Sequence, residues 1–181
     1  MGQTARLDFA YQKYLKYKHK YIGLKNQIGG NPSNNNDSGD VEKNLRNFFV
    51  MNFEGFNKRN WSIINQFIDE NIVTTFSNGM RLEGIDPTVH MLMKQVLDWA
   101  PDTKVVSHKI QFGSGDWIAV NMVISGTFTK PMIDLDGKKI MPTNKSYTLN
   151  NCILGHWKEG KLIELYVFGD SESMKKQLEI V

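Results

Sequence analysis

The sequence predicts an α+β domain in which helices pack across one side of a curved antiparallel sheet. Two observations carry this expectation. Before Pro101 the apolar residues recur at steps of three and four, whereas beyond it they alternate. The alternating runs are also long and follow one another through short Gly-containing connections, as antiparallel neighbours do. A strongly bent sheet capped by helices encloses a conical pocket, so a cavity is expected as well.

The first helix spans Val41 to Phe56, where Val41, Leu45, Phe48, Phe49, Asn52, Phe53 and Phe56 form a stripe behind the candidate caps Ser38 and Asp40. A shorter helix runs from Trp61 to about Ile68. Asn71 to Phe76 and Met80-Arg81-Leu82 read as strands about the Asn78-Gly79 turn. Asp86-Pro87 opens the next helix, with Val89, Leu92, Met93, Val96 and Trp99 on its inner face, and Pro101 ends it. Val106, His108, Ile110 and Phe112 then share one face of a strand that turns at Gly113-Ser114-Gly115-Asp116. Ile118, Val120, Met122, Ile124, Gly126 and Phe128 share one face of the next. Ser146 to Trp157 and Leu162 to Phe168 supply two more strands, and Glu172 to Ile180 closes the chain as a short helix.

With 181 residues, 40% apolar and 23% charged, the chain suits one domain with one core. No apolar run approaches the roughly 18 residues that cross a bilayer, so a transmembrane segment is not expected. The single Cys152 has no partner for an internal disulfide, and no Cys/His spacing suggests a structural zinc. A reducing, intracellular compartment is therefore expected, with Cys152 buried in a strand as a small hydrophobe.

The net charge of +3 is unevenly placed: residues 1–30 hold six Lys/Arg against one Asp, an excess of five, which leaves −2 for residues 31–181. The domain thus lacks the basic face that nucleic-acid binding requires. In the basic start, Tyr14, Tyr17, Tyr21, Leu24 and Ile28 make an aromatic-aliphatic stripe on a helix that Gly29-Gly30 ends. Residues 31–40 carry no hydrophobe and read as a flexible linker, leaving 41–181 as the domain. The stripe suits a docking or dimerising helix, or adhesion to a membrane surface or nucleic acid; lysines interrupt any secretory apolar core. The string Tyr-Leu-Lys-Tyr-Lys-x-Lys-Tyr-Ile-x-Leu-Lys resembles a short N-terminal element found on proteins of giant DNA viruses. That resemblance implies a viral source and an address or packaging tag, with a virus factory or virion as destination.

From about Leu45 to Leu178 the order of signals resembles the SnoaL-like polyketide cyclases of the nuclear transport factor 2-like superfamily. The residues responsible are Gly84 before a helix, Ala100-Pro101-Asp102 after it, Gly115-Asp116 before a Val/Ile strand, and Ser125-Gly126-Thr127 at its end. Pro142-Thr143, Gly160-Lys161-Leu162-Ile163-Glu164 and Asp170 complete the series. The resemblance implies an α+β cone, often dimeric, whose enzyme members close a polyketide ester by an intramolecular aldol reaction without metal or organic cofactor. Such chemistry needs a proton acceptor beside a carbonyl and a group that stabilises the enolate. In the cyclases a His in Gly-Thr-His-Thr and an Asp at the start of the following long strand are associated with these duties. Here Gly126-Thr127-Phe128-Thr129 has Phe at the first position, the second falls near Tyr147, and no Asp or Glu occurs from Gly137 to Lys158.

Losing an acid and a base, each worth about 10²- to 10⁴-fold in rate, leaves such a reaction very slow. The first reading is therefore a non-catalytic binding domain, in which Met122, Ile124, Phe128, Leu149, Tyr166 and Trp99, with Tyr147, surround a hydrophobic small molecule at a rim formed by Gly126 to Lys130. A cyclase- or isomerase-like enzyme is the alternative, with His108, Glu164, Asp170 and Tyr147 as substitute catalytic groups; alternation would place Glu164, Tyr166 and Asp170 with Leu162 and Phe168 on the cavity wall. Against these roles, Glu164 reads equally as solvated and Asp170 as a helix cap. His90, His156, Asp134 and Asp136 read as surface residues. Epoxide opening by an Asp-Arg-Asp set fits poorly, because the domain's arginines are Arg46, Arg59 and Arg81, none in a long strand. A third reading is a structural homodimer joined through the convex face of the sheet.

Deletion of residues 1–40 checks the organisation. A truncated chain that folds, self-associates and binds ligand as before, while losing its location, marks the tail as an address; loss of solubility would make the Tyr stripe part of the core.

Overall fold

The computed structural model describes residues 38–133 and 137–180. The basic start, most of the expected linker and the Asp134/Asp136 loop tip lie outside the described residues. Helix α1 begins at Ser38, inside the stretch read as linker, and runs as Ser38–Val50 before widening into a π-helical stretch, Met51–Phe56. Helix α2 is Trp61–Phe67. Helix α3 comprises three successive pieces, Ile85–Pro87, a π-helical Thr88–Lys94, and Gln95–Trp99. The strands are β1 Ile68–Phe76, β2 Arg81–Glu83, β3 Lys104–Ser114, β4 Trp117–Thr127, β5 Met132–Ile133, β6 Lys139–Ile140, β7 Ser146–Lys158 and β8 Lys161–Phe168. Helix α4, Ser171–Leu178, follows.

Six strands form one curved sheet in the order β2-β1-β8-β7-β4-β3, while β5 and β6 make a separate ribbon. All neighbours are antiparallel except β1 and β8, which run parallel because the intervening chain returns across the sheet. The β1–β2 hairpin forms about Asn78-Gly79 as expected, with Gly79 at φ +83°, where a side chain would be strained. Helices α1 to α3 cover one face. Their apolar stripes, including Leu45, Phe48, Met51, Ile64, Val89 and Met93, meet Ile72, Ile118, Val120, Ile153, Trp157, Leu162 and Leu165 in the main core.

Strict alternation fails in β3, and the reason is a pair of bulges. Val105 pairs with Ile124 and Ser107 with Val123, so one residue is extra there; His108 pairs with Met122 and Ile110 with Asn121, so another is extra beyond it. Each extra residue reverses the phase. His108 therefore faces the helices, whereas Val106, Ile110 and Phe112 stand on the outer face at 48%, 62% and 64% exposure, which corrects the single shared face expected for these four. A bulge opposite His156/Trp157 does the same to β8: Leu162 pairs with Trp157 and points inward, while Glu164 pairs with His156 and points out. Tyr166 and Phe168 follow Glu164 outward, and Leu165 and Val167 turn inward, so the wall expected from Glu164 and Tyr166 is replaced by aliphatic residues. Cys152, expected to be buried, is exposed beside Phe168.

The first bulge is held by the roof. Asn57, at the end of the π-helical stretch, donates from Nδ2 to the Val105 carbonyl (2.9 Å) and accepts from the Val105 N–H at Oδ1 (2.8 Å). Arg59 donates to the carbonyls of Phe56, Pro101 and Thr103 at 2.7, 2.8 and 2.7 Å. The end of the π-helical stretch is thus tied to the turn before β3 and to the start of this edge strand through their backbone groups.

A second, smaller core closes the far end of the sheet. Phe128, fully buried, packs with Ala100, Tyr147, Leu149 and Leu178 against Trp99. The Tyr147 hydroxyl lies 2.7 Å from Thr103 Oγ1, which itself donates to the Ala100 carbonyl at 2.6 Å, so the phenol donates to the threonine. Burial, above all, pushes the Tyr147 pKa up to about 12, and the phenol stays protonated. A Cβ at Gly126 would stand 2.5 Å from Thr103 Oγ1 and 2.9 Å from the Tyr147 hydroxyl, so the close approach of these groups requires glycine. Gly126→Ala should destabilise the domain by about 1–3 kcal/mol through overpacking. Tyr147→Phe should cost about 1 kcal/mol. Urea unfolding of both single variants and the double variant checks this, with non-additive losses expected because both changes act on Thr103.

Candidate functional site

Between the helical roof and the inner face of the sheet lies a cavity of about 130 Å³. The roof contributes Phe48 from α1, Met51, Asn52 and Phe56 from the π-helical stretch, and Met93 and Val96 from α3. The floor contributes Thr103 and Val105 at the start of β3, Met122 and Ile124 from β4, Asn151 and Ile153 from β7, and Leu165 and Val167 from β8. Both roofing helices are π-helical where Met51, Asn52, Phe56 and Met93 meet the cavity. The wider turns add a residue per bulge and re-aim side chains, a departure from regular helix that recurs at functional sites.

None of these fourteen lining residues is ionisable. Three are polar. Thr103 is committed to Ala100 and Tyr147, and Asn52 donates from Nδ2 to the Phe48 carbonyl at 2.9 Å. Asn151 is only 9% exposed, and its Oδ1 is buried with no hydrogen-bond partner among the described residues.

The residues singled out in the sequence are distributed over five places. Met122 and Ile124 line the cavity. Trp99, Phe128, Tyr147 and Leu149 form the second core, where Trp99 meets Phe128 edge-on at 5.7 Å and Tyr147 at 5.6 Å; Phe128 is packing, not rim. Glu164 and Tyr166 lie on the outer face of the sheet. There the Tyr166 hydroxyl donates to Glu164 Oε2 (3.1 Å), His156 Nδ1 lies 3.1 Å from Glu164 Oε1, and Trp117 stacks on His156 at 4.4 Å. His156 is thus at the surface, as expected, and half-buried within this network. Asp170 accepts from the Ser173 N–H at 2.8 Å and caps α4. His108, Glu164 and Asp170 are therefore on different elements and faces and do not converge.

His108 faces inward but stands behind Asn52, with Nε2 3.4 Å from Asn52 Nδ2 and its ring among Phe48, Phe49 and Phe53 at 5.5, 5.8 and 5.3 Å. Its Nδ1 is buried without a partner among the described residues. Burial in this aromatic cage pushes the His108 pKa down to about 4, against a smaller upward pull from Gln111. The imidazole is neutral at physiological pH, which suits an acceptor for one Asn52 N–H.

Asn52, Asn151, Leu165 and Val167 escaped the sequence reading as site residues. Asn52 is the one polar member of the α1 stripe, and Asn151 interrupts the inward series Tyr147, Leu149, Ile153; a polar residue in an apolar phase is the signal that could have found both. Leu165 and Val167 are reached only through the bulge in β8.

A partly enclosed apolar cavity between a curled sheet and a helical roof defines the nuclear transport factor 2-like cone. The family model described as SnoaL-like polyketide cyclase matches residues 46–178, and the chain belongs to that family. Among solved structures, the chain is similar to a protein assigned as a SnoaL-like polyketide cyclase from Jannaschia sp. CCS1, with TM-score 0.68 and 17% identity over 84% of this chain and 99% of that one. It is also similar to AclR from Streptomyces galilaeus, assigned as a hydroxylase, with TM-score 0.63 and 16% identity over 78% and 83%. IdmH from Streptomyces antibioticus, assigned as a polyketide cyclase, follows with TM-score 0.61 and 16% identity over 75% and 98%. Likeness at this identity establishes the fold, on which different chemistries are built. No curated protein sequence matches.

The caged histidine makes stability depend on pH. The unfolded chain binds a proton at His108 near pH 6.5 and the folded chain only near 4, so its contribution is complete above about pH 6.5 and is lost as pH falls towards about 4. One proton sets a slope of up to about 1.4 kcal/mol per pH unit in that window. Urea unfolding across these pH values should show that slope in the natural protein, and His108→Leu should flatten it.

Proposed function

We propose that the domain binds a compact, neutral, largely apolar molecule in this cavity and does not turn it over. The observation that carries this reading is the lining itself: fourteen residues from six elements, none able to take up or release a proton at neutral pH. An aldol closure needs a proton acceptor within about 3 Å of the reacting carbon, or one water further. Tyr147 is held protonated in the second core, Asp170 is engaged in a cap, and Glu164 lies across the sheet. The cavity compares in size with an engineered apolar cavity of about 150 Å³ that binds benzene, so a single-ring molecule or a branched aliphatic chain fits.

A second, compatible reading is a homodimer formed through the outer face of the sheet. Ile110 and Phe112 are exposed at 62% and 64%, and Val106, Trp117 and Phe168 extend the same face at 48%, 39% and 42%. Such an apolar surface suits a self-complementary interface. Among the described residues no helix is long and apolar enough to cross a membrane.

Thermal unfolding in the presence of toluene and other single-ring compounds checks the binding reading. The melting temperature should rise with ligand concentration in the natural chain, and Val96→Phe, which fills the cavity, should remove the response. No response in a folded natural chain would count against binding. Turnover of an ester substrate that Val96→Phe abolishes and His108→Leu slows would replace it with an enzyme.

A further inference from the structure

Resting on that binding reading, we propose that the ligand is neutral and carries one hydrogen-bonding oxygen, a hydroxyl or a carbonyl, which pairs with the side-chain amide of Asn151. Asn151 projects from the middle of β7, between Leu149 and Ile153 on the inward phase, and pairs across the sheet with Met122. A polar residue at the centre of an apolar floor is costly unless its amide finds partners. Here Asn151 is 9% exposed, and its Oδ1 is buried without a partner among the described residues, beside Gly169, where a Cβ would stand 3.2 Å away.

The other two polar lining residues behave differently. Thr103 is saturated by Ala100 and Tyr147, and Asn52 holds the π-helical turn through Phe48 and abuts His108. Each has a structural reason to be polar within the protein. Asn151 has none among the described residues, which points to a partner from outside the chain. A carboxamide donates through Nδ2 and accepts through Oδ1, so it can receive a carbonyl or a hydroxyl by rotating about its last torsion. Neither atom compensates a full charge, and with no ionisable side chain in the lining an anion or cation would lose its hydration without replacement.

Four single-ring probes test this by titration calorimetry on the full chain: toluene, phenol, benzaldehyde and benzoate. After allowance for their different transfer free energies from water, phenol or benzaldehyde should bind at least about tenfold tighter than toluene, a factor equal to one well-formed hydrogen bond. Whichever of the two binds tighter identifies the oxygen. Benzoate should not displace either. Asn151→Leu should bring all neutral probes to the toluene value, and the ranking in the natural chain stands even if that variant does not fold. Equal corrected affinity for toluene, phenol and benzaldehyde would overturn the assignment to Asn151 while leaving apolar binding intact; so would a preference that survives Asn151→Leu. Binding of benzoate above phenol would overturn neutrality. Failure of every probe to bind would remove the binding reading and this inference together.

Discussion

The constraint on which the site depends is the phase of two bulged strands. β3 carries two extra residues and β8 one, and each decides whether the side chains that follow, up to the next bulge, meet the roof or solvent. β3 is the edge strand, and beside its first bulge Asn57 satisfies both backbone groups of Val105 with a clip from the roof. Roof and sheet edge are thereby fixed relative to each other at one wall of the cavity. The bulge in β8 sends Glu164 out and brings Leu165 and Val167 in. The chemical character of the cavity is thus a consequence of register as much as of composition.

Much of the architecture was legible in the sequence because it rests on local signals. The change of period at Pro101, the Asn78-Gly79 turn and the inward series Ile118, Val120, Met122, Ile124 all reappear in the fold. Met122 and Ile124 could be placed in the cavity because β4 has no bulge between Ile118 and Gly126 on its β7 side. What could not be read was set by pairing between distant segments. Nothing local to Val106 or Ile163 announces an extra residue; the bulges exist because of what the neighbouring strand and the roof demand. Phe128 was misplaced for a related reason. Its alternation with Gly126 is correct, but β4 ends at Thr127, and the chain then turns into a core formed with Trp99, Tyr147 and Leu178 from elsewhere in the sequence.

Membership of the SnoaL-like family and the packing of Phe128 and Tyr147 fit one physical picture. Phe128 and Tyr147 belong to a solid core around Gly126 and Thr103, with the phenol kept protonated by burial. His108, the remaining inward base, is caged by three phenylalanines and separated from the cavity by Asn52. The cavity beside them is lined mainly by apolar side chains, with Asn151 Oδ1 in its floor unpartnered among the described residues.

Native mass spectrometry of the freshly purified full-length chain tests this most directly. The account predicts a folded protein carrying a small neutral adduct that is displaced by phenol or toluene and is absent from Val96→Phe. A chain that never retains an adduct and whose spectrum is unchanged by either compound would contradict it.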